Sequence, residues 1–108
     1  MRGHRDASEE ALLTRLAASY IAREANRSAL ITPTRTELTP SRTRATIYVS
    51  VFPDTAVDSA LSFLKRHQHN FFEYLKKESR LSPIPGIRFE FDFGEKNRQR
   101  LDEISRDI

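Results

Sequence analysis

Hydrophobic residues recur with two different periods along this 108-residue chain, and the two periods divide it into helices and strands. The first apolar series has the i, i+3, i+4, i+7, i+8 spacing of an amphipathic helix: Leu13, Leu16, Ala17, Tyr20 and Ile21. Asp6 and Glu9 have the spacing of a capping box, with Ser8 as an alternative N-cap. We therefore predict an N-terminal tail over residues 1–7, followed by a helix that ends near Asn26.

The next two segments have the pattern of a β-hairpin. Residues 28–38 (SALITPTRTEL) are rich in β-branched side chains, which favour strands. Ile31 and Pro33 share one parity and Thr36 and Leu38 the other, so a bulge near 34–35 is needed to bring all four to one face. Residues 44–52 (RATIYVSVF) alternate regularly; four apolar residues are predicted to face inward: Ala45, Ile47, Val49 and Val51.

Two helices and a third strand are predicted in the second half of the chain. Asp54 is the expected N-cap of a helix that buries the stripe Val57, Ala60, Leu61 and Leu64. Asn70, three residues before Glu73, is the expected N-cap of the next helix, which buries Phe71, Phe72 and Leu75 and ends before SPIPG. The strand that follows is predicted to turn Ile87, Phe89, Phe91 and Phe93 inward. Its alternate residues are predicted to face outward: Arg88, Glu90 and Asp92. A short helix with Leu101, Ile104 and Ile108 on one side is predicted in the tail over residues 94–108.

The predicted order is therefore α-β-β-α-α-β, a single α+β domain over residues 8–93. Its sheet has three strands and is mixed, with helices on one face. Pro33 cannot donate to a sheet ladder, so the first strand is expected at an edge, with the third parallel to the second. This topology is that of a type II KH domain, a class that binds RNA through a GxxG loop between two helices. The GxxG loop is absent here.

The stretch KRHQHNFFEYLKK, residues 65–77, has three possible interpretations: a metal or acid–base site, a nucleic-acid surface, or a joint between two helices. His67 and His69 are two residues apart and would diverge on a helix, and His4 is the only further histidine. The chain has no cysteine and no recognisable catalytic motif. We therefore expect no metal, no cofactor and no enzymatic activity, and we place a helix joint, or kink, at Gln68, His69 and Asn70.

The composition and charge of the chain are compatible with an anionic partner. The net charge is +3 and the pI about 9.6. Residues 1–52 contain eight arginines against five acidic residues, and the remainder of the chain is balanced. Neither an apolar stretch long enough to span a membrane nor a secretory signal is recognisable, so a cytoplasmic location with no membrane partner is expected.

Several motifs resemble those of the bacterial ribosome-binding factor A family. ITPTRTELTPSRTRATIYVSVF is similar to the hairpin of that family, SPIPGIRFEFDF to its third strand and RLDEISRDI to its closing helix. The similarity extends from about Ser8 to the C-terminus. Gln68-His69-Asn70 stands where the family has an Ala-x-Gly kink, and Thr36 occupies a sheet position that is commonly valine.

The resemblance implies a KH-like fold and a monomer that binds the free 30S ribosomal subunit during maturation of 16S rRNA, with a role in the cold. Eight cations are expected to neutralise RNA phosphates: Arg23, Arg27, Arg42, Arg44, Lys65, Arg66, Lys76 and Lys77. The alternative is a protein-interaction or ligand-binding α/β module that does not bind RNA.

Overall fold

A computed structural model describes residues 4–98 of the chain, and the side chains of residues 6–98. Three helices and three strands have defined ends: α1 (His4–Glu24), β1 (Leu30–Leu38), β2 (Arg44–Phe52), α2 (Val57–Arg66), α3 (Gln68–Glu78) and β3 (Gly86–Phe91). A 3-10 turn, Asp54–Ala56, precedes α2, and residues 93–98 are helical and are labelled α4. The predicted α-β-β-α-α-β order is confirmed.

The sheet has the predicted topology. Its order is β1-β2-β3, with β1 antiparallel and β3 parallel to β2. The register between β1 and β2 shifts between Pro33 and Arg35, so Thr34 is the bulged residue. Ile31 and Thr36, on either side of this bulge, are both buried. The bulge therefore corrects the parity as predicted, and Pro33 lies on an edge strand.

The core lies between the helices and one face of the sheet. Ala45, Ile47, Val49 and Val51 of β2 are buried, and α2 and α3 contribute Ala60, Leu64, Phe71 and Leu75. The alternate residues of β2, Thr46, Tyr48 and Ser50, are only half-buried. In the described part of the chain, the helices cover one face of the sheet and leave the other open.

The helix starts differ from those predicted. Helix α1 already includes residues 4–7, which were assigned to the tail, and Asp6 lies in its first turn instead of at its N-cap. Asp54 begins the 3-10 turn and makes no cap hydrogen bond; its carboxylate instead pairs with Lys96 Nζ at 2.5 Å. Capping patterns locate a helix start only approximately, because an ion partner on another element competes for the carboxylate.

The end of β3 is the clearest correction to the strand pattern. Strand β3 stops at Phe91, Phe93 is 71% exposed and Asp92 is 3% exposed, the reverse of the inward Phe93 and outward Asp92 that were predicted. Asp92 Oδ1 accepts the backbone N–H of Glu95 at 2.9 Å and so caps α4. The alternation ends because the chain turns into a helix at this carboxylate. Leu101, Ile104 and Ile108 lie outside the described residues.

Candidate nucleic-acid interface

A single residue, His67, forms the joint between α2 and α3. Its backbone N–H donates to the carbonyls of Phe63 and Leu64, at 3.1 and 3.2 Å, and its own carbonyl accepts from Phe71 at 2.8 Å. With φ −93° and ψ 2° it occupies the bridge region, which is open to residues other than glycine. The chain therefore turns between the two helices without a glycine.

The His67 side chain ties this joint to α1. Tyr20 Oη and His67 Nδ1 are 2.6 Å apart, and the His67 ring lies 4.2 Å, centroid to centroid, from Phe63. Tyr20 is only 3% exposed. Burial, followed by the charge of Glu24, raises the pKa of Tyr20, so its hydroxyl remains protonated at neutral pH.

The predicted kink at Gln68, His69 and Asn70 is therefore wrong by one residue. These three residues form the first turn of α3, and the N-cap is His67. Asn70 is exposed and lies inside the helix, where it cannot cap the start; the side chain of His69 is 81% exposed, with Nε2 4.0 Å from Glu73. Gln68 Nε2 instead donates to the Ile87 carbonyl at 3.0 Å, which anchors the joint to β3. The Asn70–Glu73 spacing predicted the wrong start for α3, because a bridge-region residue can start a helix without a side-chain cap.

Four of the eight predicted RNA-binding cations lie around this joint. Lys65 and Arg66 are exposed in the last turn of α2, and neither forms an ion pair with a residue of the described part. Arg66 borders a small pocket with Asn26, next to the exposed Arg27. Arg23 Cζ lies 5.1 Å from the ring centroid of Tyr74 and its Nε pairs with Glu24 at 3.1 Å. We call Arg23, Arg27, Lys65 and Arg66 the joint cations.

Of the other four, Arg42 and Arg44 lie at the β1–β2 hairpin, and Lys76 and Lys77 lie in the last turn of α3. Arg42, with φ 61°, pairs with Asp6 at 3.3 Å and with Glu9, and the hydrogen bond from Arg42 to Glu9 raises the pKa of the guanidinium. Lys76 pairs with Glu73 at 3.4 Å. Arg44 and Lys77 are exposed and form no ion pair within residues 6–98. We call Arg42, Arg44, Lys76 and Lys77 the hairpin cations.

The structure thus divides the predicted set into two separate groups. Glu9 and Arg42 mark the beginning of α1, whereas Arg23 and Arg27 lie at or beyond its end. Because a helix rises about 1.5 Å per residue, the 14 residues from Glu9 to Arg23 place Arg42 on the order of 20 Å from Arg23, whereas Lys76 and Lys77, on α3, lie only on the order of 15 Å along that helix from His67. A composition argument cannot detect this division, since it depends on how α1 and α3 run across the sheet.

Two further cations lie on the open face of the sheet and were not among those predicted. Arg35 Cζ is 3.8 Å from the ring centroid of Tyr48, and Arg88 pairs with Glu90 at 2.8 Å. The bulge at Thr34 turns Arg35 toward this face. The place of Arg88 on the open face could be predicted from the alternation in β3. The place of Arg35 could be predicted only once the bulge had been located.

Residues 6–98 contain no group of three or more His, Cys, Asp or Glu side chains that could hold a metal ion. Within the described part of the chain, no helix is both long and apolar enough to cross a membrane.

The fold and the glycine-free joint are those of a type II KH-like domain that lacks a GxxG loop. No protein-family model matches the chain, and no curated protein matches it. Solved structures do. An NMR structure of a Thermotoga maritima protein, provisionally described as a ribosome-binding factor A, is similar with a TM-score of 0.69 and 24% identity, covering 83% of this chain and 89% of that one. The crystal structure of ribosome-binding factor A from Thermus thermophilus is similar with a TM-score of 0.70 and 24% identity, covering 79% and 93%. At this identity the likeness establishes the fold.

Proposed function

We propose that this protein is a non-enzymatic factor that binds the free 30S ribosomal subunit and assists late maturation of 16S rRNA in the cytoplasm. The observation that carries the proposal is the fold, which is shared along about four-fifths of the chain with a structure named ribosome-binding factor A. The hairpin motif ITPTRTELTPSRTRATIYVSVF supports the same conclusion independently of the fold.

The joint cations are the proposed RNA contact. Lys65, Arg66 and Arg27 are exposed near the joint and have no ion-pair partners in the described part, so their charges are available to phosphates. Arg42 and Lys76 are less suited to this role, because each would have to leave an acidic neighbour to reach a phosphate. Binding through the joint would hold immature rRNA by its backbone and would show little sequence preference.

The test compares two double variants that remove the same charge, one at the joint and one away from it. Lys65→Ala with Arg66→Ala removes two unpaired joint cations; Arg44→Ala with Lys77→Ala removes two unpaired hairpin cations. Binding to purified 30S particles is measured at several salt concentrations. We expect the joint variant to bind more weakly and its log–log salt slope to flatten by up to about one unit for each phosphate that it no longer neutralises.

Each alternative outcome has a definite meaning. If only the hairpin variant binds more weakly, the RNA face lies at the hairpin end. If the two variants lose affinity equally, the charge effect is not localised and the joint assignment is wrong. If neither changes the affinity or the slope, phosphate neutralisation is not the mechanism.

A further inference from the structure

The two edges of the sheet are protected differently. Edge strand β1 contains Pro33 and the Thr34 bulge, and both features prevent another strand from pairing with it. Edge strand β3, Gly86–Phe91, has neither a proline nor a bulge. An unprotected edge presents backbone N–H and carbonyl groups to any extended chain that approaches it.

Hydrogen bonds show which backbone groups of β3 face outward. Gly86 N–H donates to Thr43 at 2.9 Å and Asp92 N–H donates to Val49 at 2.8 Å, so the even-numbered residues bond to β2. In a parallel pair, the backbone N–H and carbonyl groups of the intervening residues then point away from β2. The outward Ile87 carbonyl is occupied by Gln68. The outward groups of Phe89 and Phe91 have no hydrogen-bond partner in the described part of the chain.

A groove of about 930 Å³ follows this free edge. On the helix side its walls are apolar, with Val57 and Leu61 from α2 facing Phe89 and Phe91. On the open face of the sheet the same groove is bordered by Arg88 and Glu90. An added strand would place alternate side chains in these two environments.

From this arrangement we infer that β3 is a docking strand for an extended peptide segment of another protein, which pairs with the backbone of Phe89 and Phe91. The peptide is expected to carry apolar side chains at alternate positions, directed at Leu61 and Val57. Polar side chains between them would face Arg88 and Glu90. This is strand addition at a sheet edge, with the groove providing selectivity.

Charge argues against RNA as the occupant of this groove. Its three cations, Arg35, Lys65 and Arg88, are equal in number to its three acids, Asp58, Glu90 and Asp92, so the lining carries no net charge. Of the cations, only Lys65, at the joint end of the groove, is without an ion pair in the described part. Arg88 is paired with Glu90 at 2.8 Å, and Arg35 Nε lies 3.7 Å from Asp92. A polyanion therefore gains little net attraction here.

A second copy of this chain also fits poorly. A two-fold antiparallel pairing centred on Arg88 or Phe89 requires the Ile87 carbonyl, which Gln68 occupies. A pair centred on Glu90 places Glu90 opposite the Glu90 of the second copy. A pair centred on Phe91 places Glu90 of each copy opposite Asp92 of the other. Directly opposed like charges destabilise a strand pair. The partner must supply a different sequence.

The test begins with amide hydrogen exchange in the full chain without any partner. We expect the N–H groups of Phe89 and Phe91 to exchange at least about tenfold faster than those of Arg88 and Glu90, which are bonded to β2. If Phe89 and Phe91 are as protected as their neighbours in the dilute monomer, the chain itself covers the edge and the proposal is wrong. If their protection grows with protein concentration alone, the occupant is a second copy and the proposal is also wrong.

The probe is a pool of capped hexapeptides with Val or Ile at alternate positions and Thr, Lys or Glu between them. At about 1 mM peptide, where weak complexes are populated, exchange at Phe89 and Phe91 should slow by about tenfold or more. The same pool with every backbone amide N-methylated should have no effect, since neither of its edges can pair.

Matched variants locate the groove. Leu61→Glu puts a charge in the apolar wall, whereas Ser62→Glu adds the same charge at an exposed neighbour. The first should weaken the effect of the peptides about tenfold and the second should not, with Arg88 and Glu90 exchange reporting that the sheet is intact. Equal action by the N-methylated pool, no effect from any peptide, or slowing by a uridine hexanucleotide alone would each overturn the proposal.

Discussion

Thr34 and Asp92, 58 positions apart, join the bulge of β1 to the start of α4. The Thr34 hydroxyl donates to Asp92 Oδ2 at 2.5 Å, and Glu95 N–H donates to Oδ1 of the same carboxylate at 2.9 Å. The bulge is thus held by a side chain from the far edge of the sheet. Asp92, 3% exposed, is a buried charge whose two oxygens are both satisfied.

Asp92 is expected to stabilise the fold in a pH-dependent way. Burial by itself raises the pKa of Asp92, but hydrogen bonds from Thr34 and the Glu95 backbone, together with the charge of Arg35, lower it below its usual range. Asp92→Ala should lower the free energy of unfolding at pH 7 by about 1–3 kcal/mol, because the Thr34 hydroxyl and the α4 cap lose their acceptor.

The sign of the pH effect follows from the lowered pKa. The carboxylate contributes stability above the unfolded pKa of about 3.9, and this contribution is lost as pH falls through the lower folded value. Chemical denaturation from pH 7 to pH 2 should therefore show the difference between the native protein and Asp92→Asn shrinking only below about pH 4. A difference that grows on acidification would mean that the folded pKa is raised instead.

Thr36 provides a second prediction, because it places a hydroxyl in the core. It is 5% exposed, and its Oγ1 lies 2.8 Å from that of Thr14, whose hydroxyl donates to the Glu10 carbonyl at 3.0 Å. With the Thr14 proton already engaged, Thr36 is the donor of the pair. Thr14→Val should therefore cost about 1–3 kcal/mol by leaving a buried donor unpaired, and Thr36→Val should cost less.

The double variant Thr14→Val with Thr36→Val is the informative control, measured by thermal and chemical unfolding. Replacing both hydroxyls by methyl groups of similar shape should restore most of the loss. A double variant with the summed cost of the two single changes would mean that the hydroxyls do not interact.

The strand pattern was predictable from sequence where burial alone sets it, and not where a polar group intervenes. The parity of β2 from Ala45 to Val51 followed from hydrophobic alternation, and even the bulge followed from the parity change around Thr34. The end of β3 did not, because the buried residue there is the charged Asp92, whose partners lie on β1 and α4.

The candidate site was predictable only in part for a related reason. The existence of a joint in residues 65–70 followed from the two apolar stripes on either side of it. Its position at His67 did not, because the bond to Tyr20 on α1 spans 47 positions and leaves no local pattern. The eight cations were visible as charges, but only the paths of α1 and α3 show which of them lie around the joint.

His67 should consequently be the histidine that matters for stability. His67→Ala should lower the free energy of unfolding by about 1–3 kcal/mol, because the buried Tyr20 hydroxyl loses its 2.6 Å partner and the His67 ring no longer packs against Phe63. His69→Ala, at an exposed position, should change it by less than about 0.5 kcal/mol, and Asn70→Ala should cost less than His67→Ala although the Asn70 side chain also hydrogen-bonds to the Tyr20 hydroxyl. Thermal melts of the three variants provide the comparison.

A double-mutant cycle with Tyr20→Phe separates the hydrogen bond from the packing of the histidine ring against Phe63. We expect a coupling energy of about 0.5–2 kcal/mol between Tyr20 and His67. If Asn70→Ala proves the most damaging of the single changes, Asn70 and not His67 is the principal partner of the Tyr20 hydroxyl.

Binding to the small ribosomal subunit can be measured by sedimentation. The full chain is mixed with purified 30S, 50S and 70S particles at low salt, and each mixture is centrifuged through a sucrose gradient. We expect the protein to sediment with free 30S particles, to remain at the top of the gradient with 50S, and to be released from 30S as salt rises. Equal sedimentation with all three particles, or none with 30S, would show that the protein is not a 30S-binding factor.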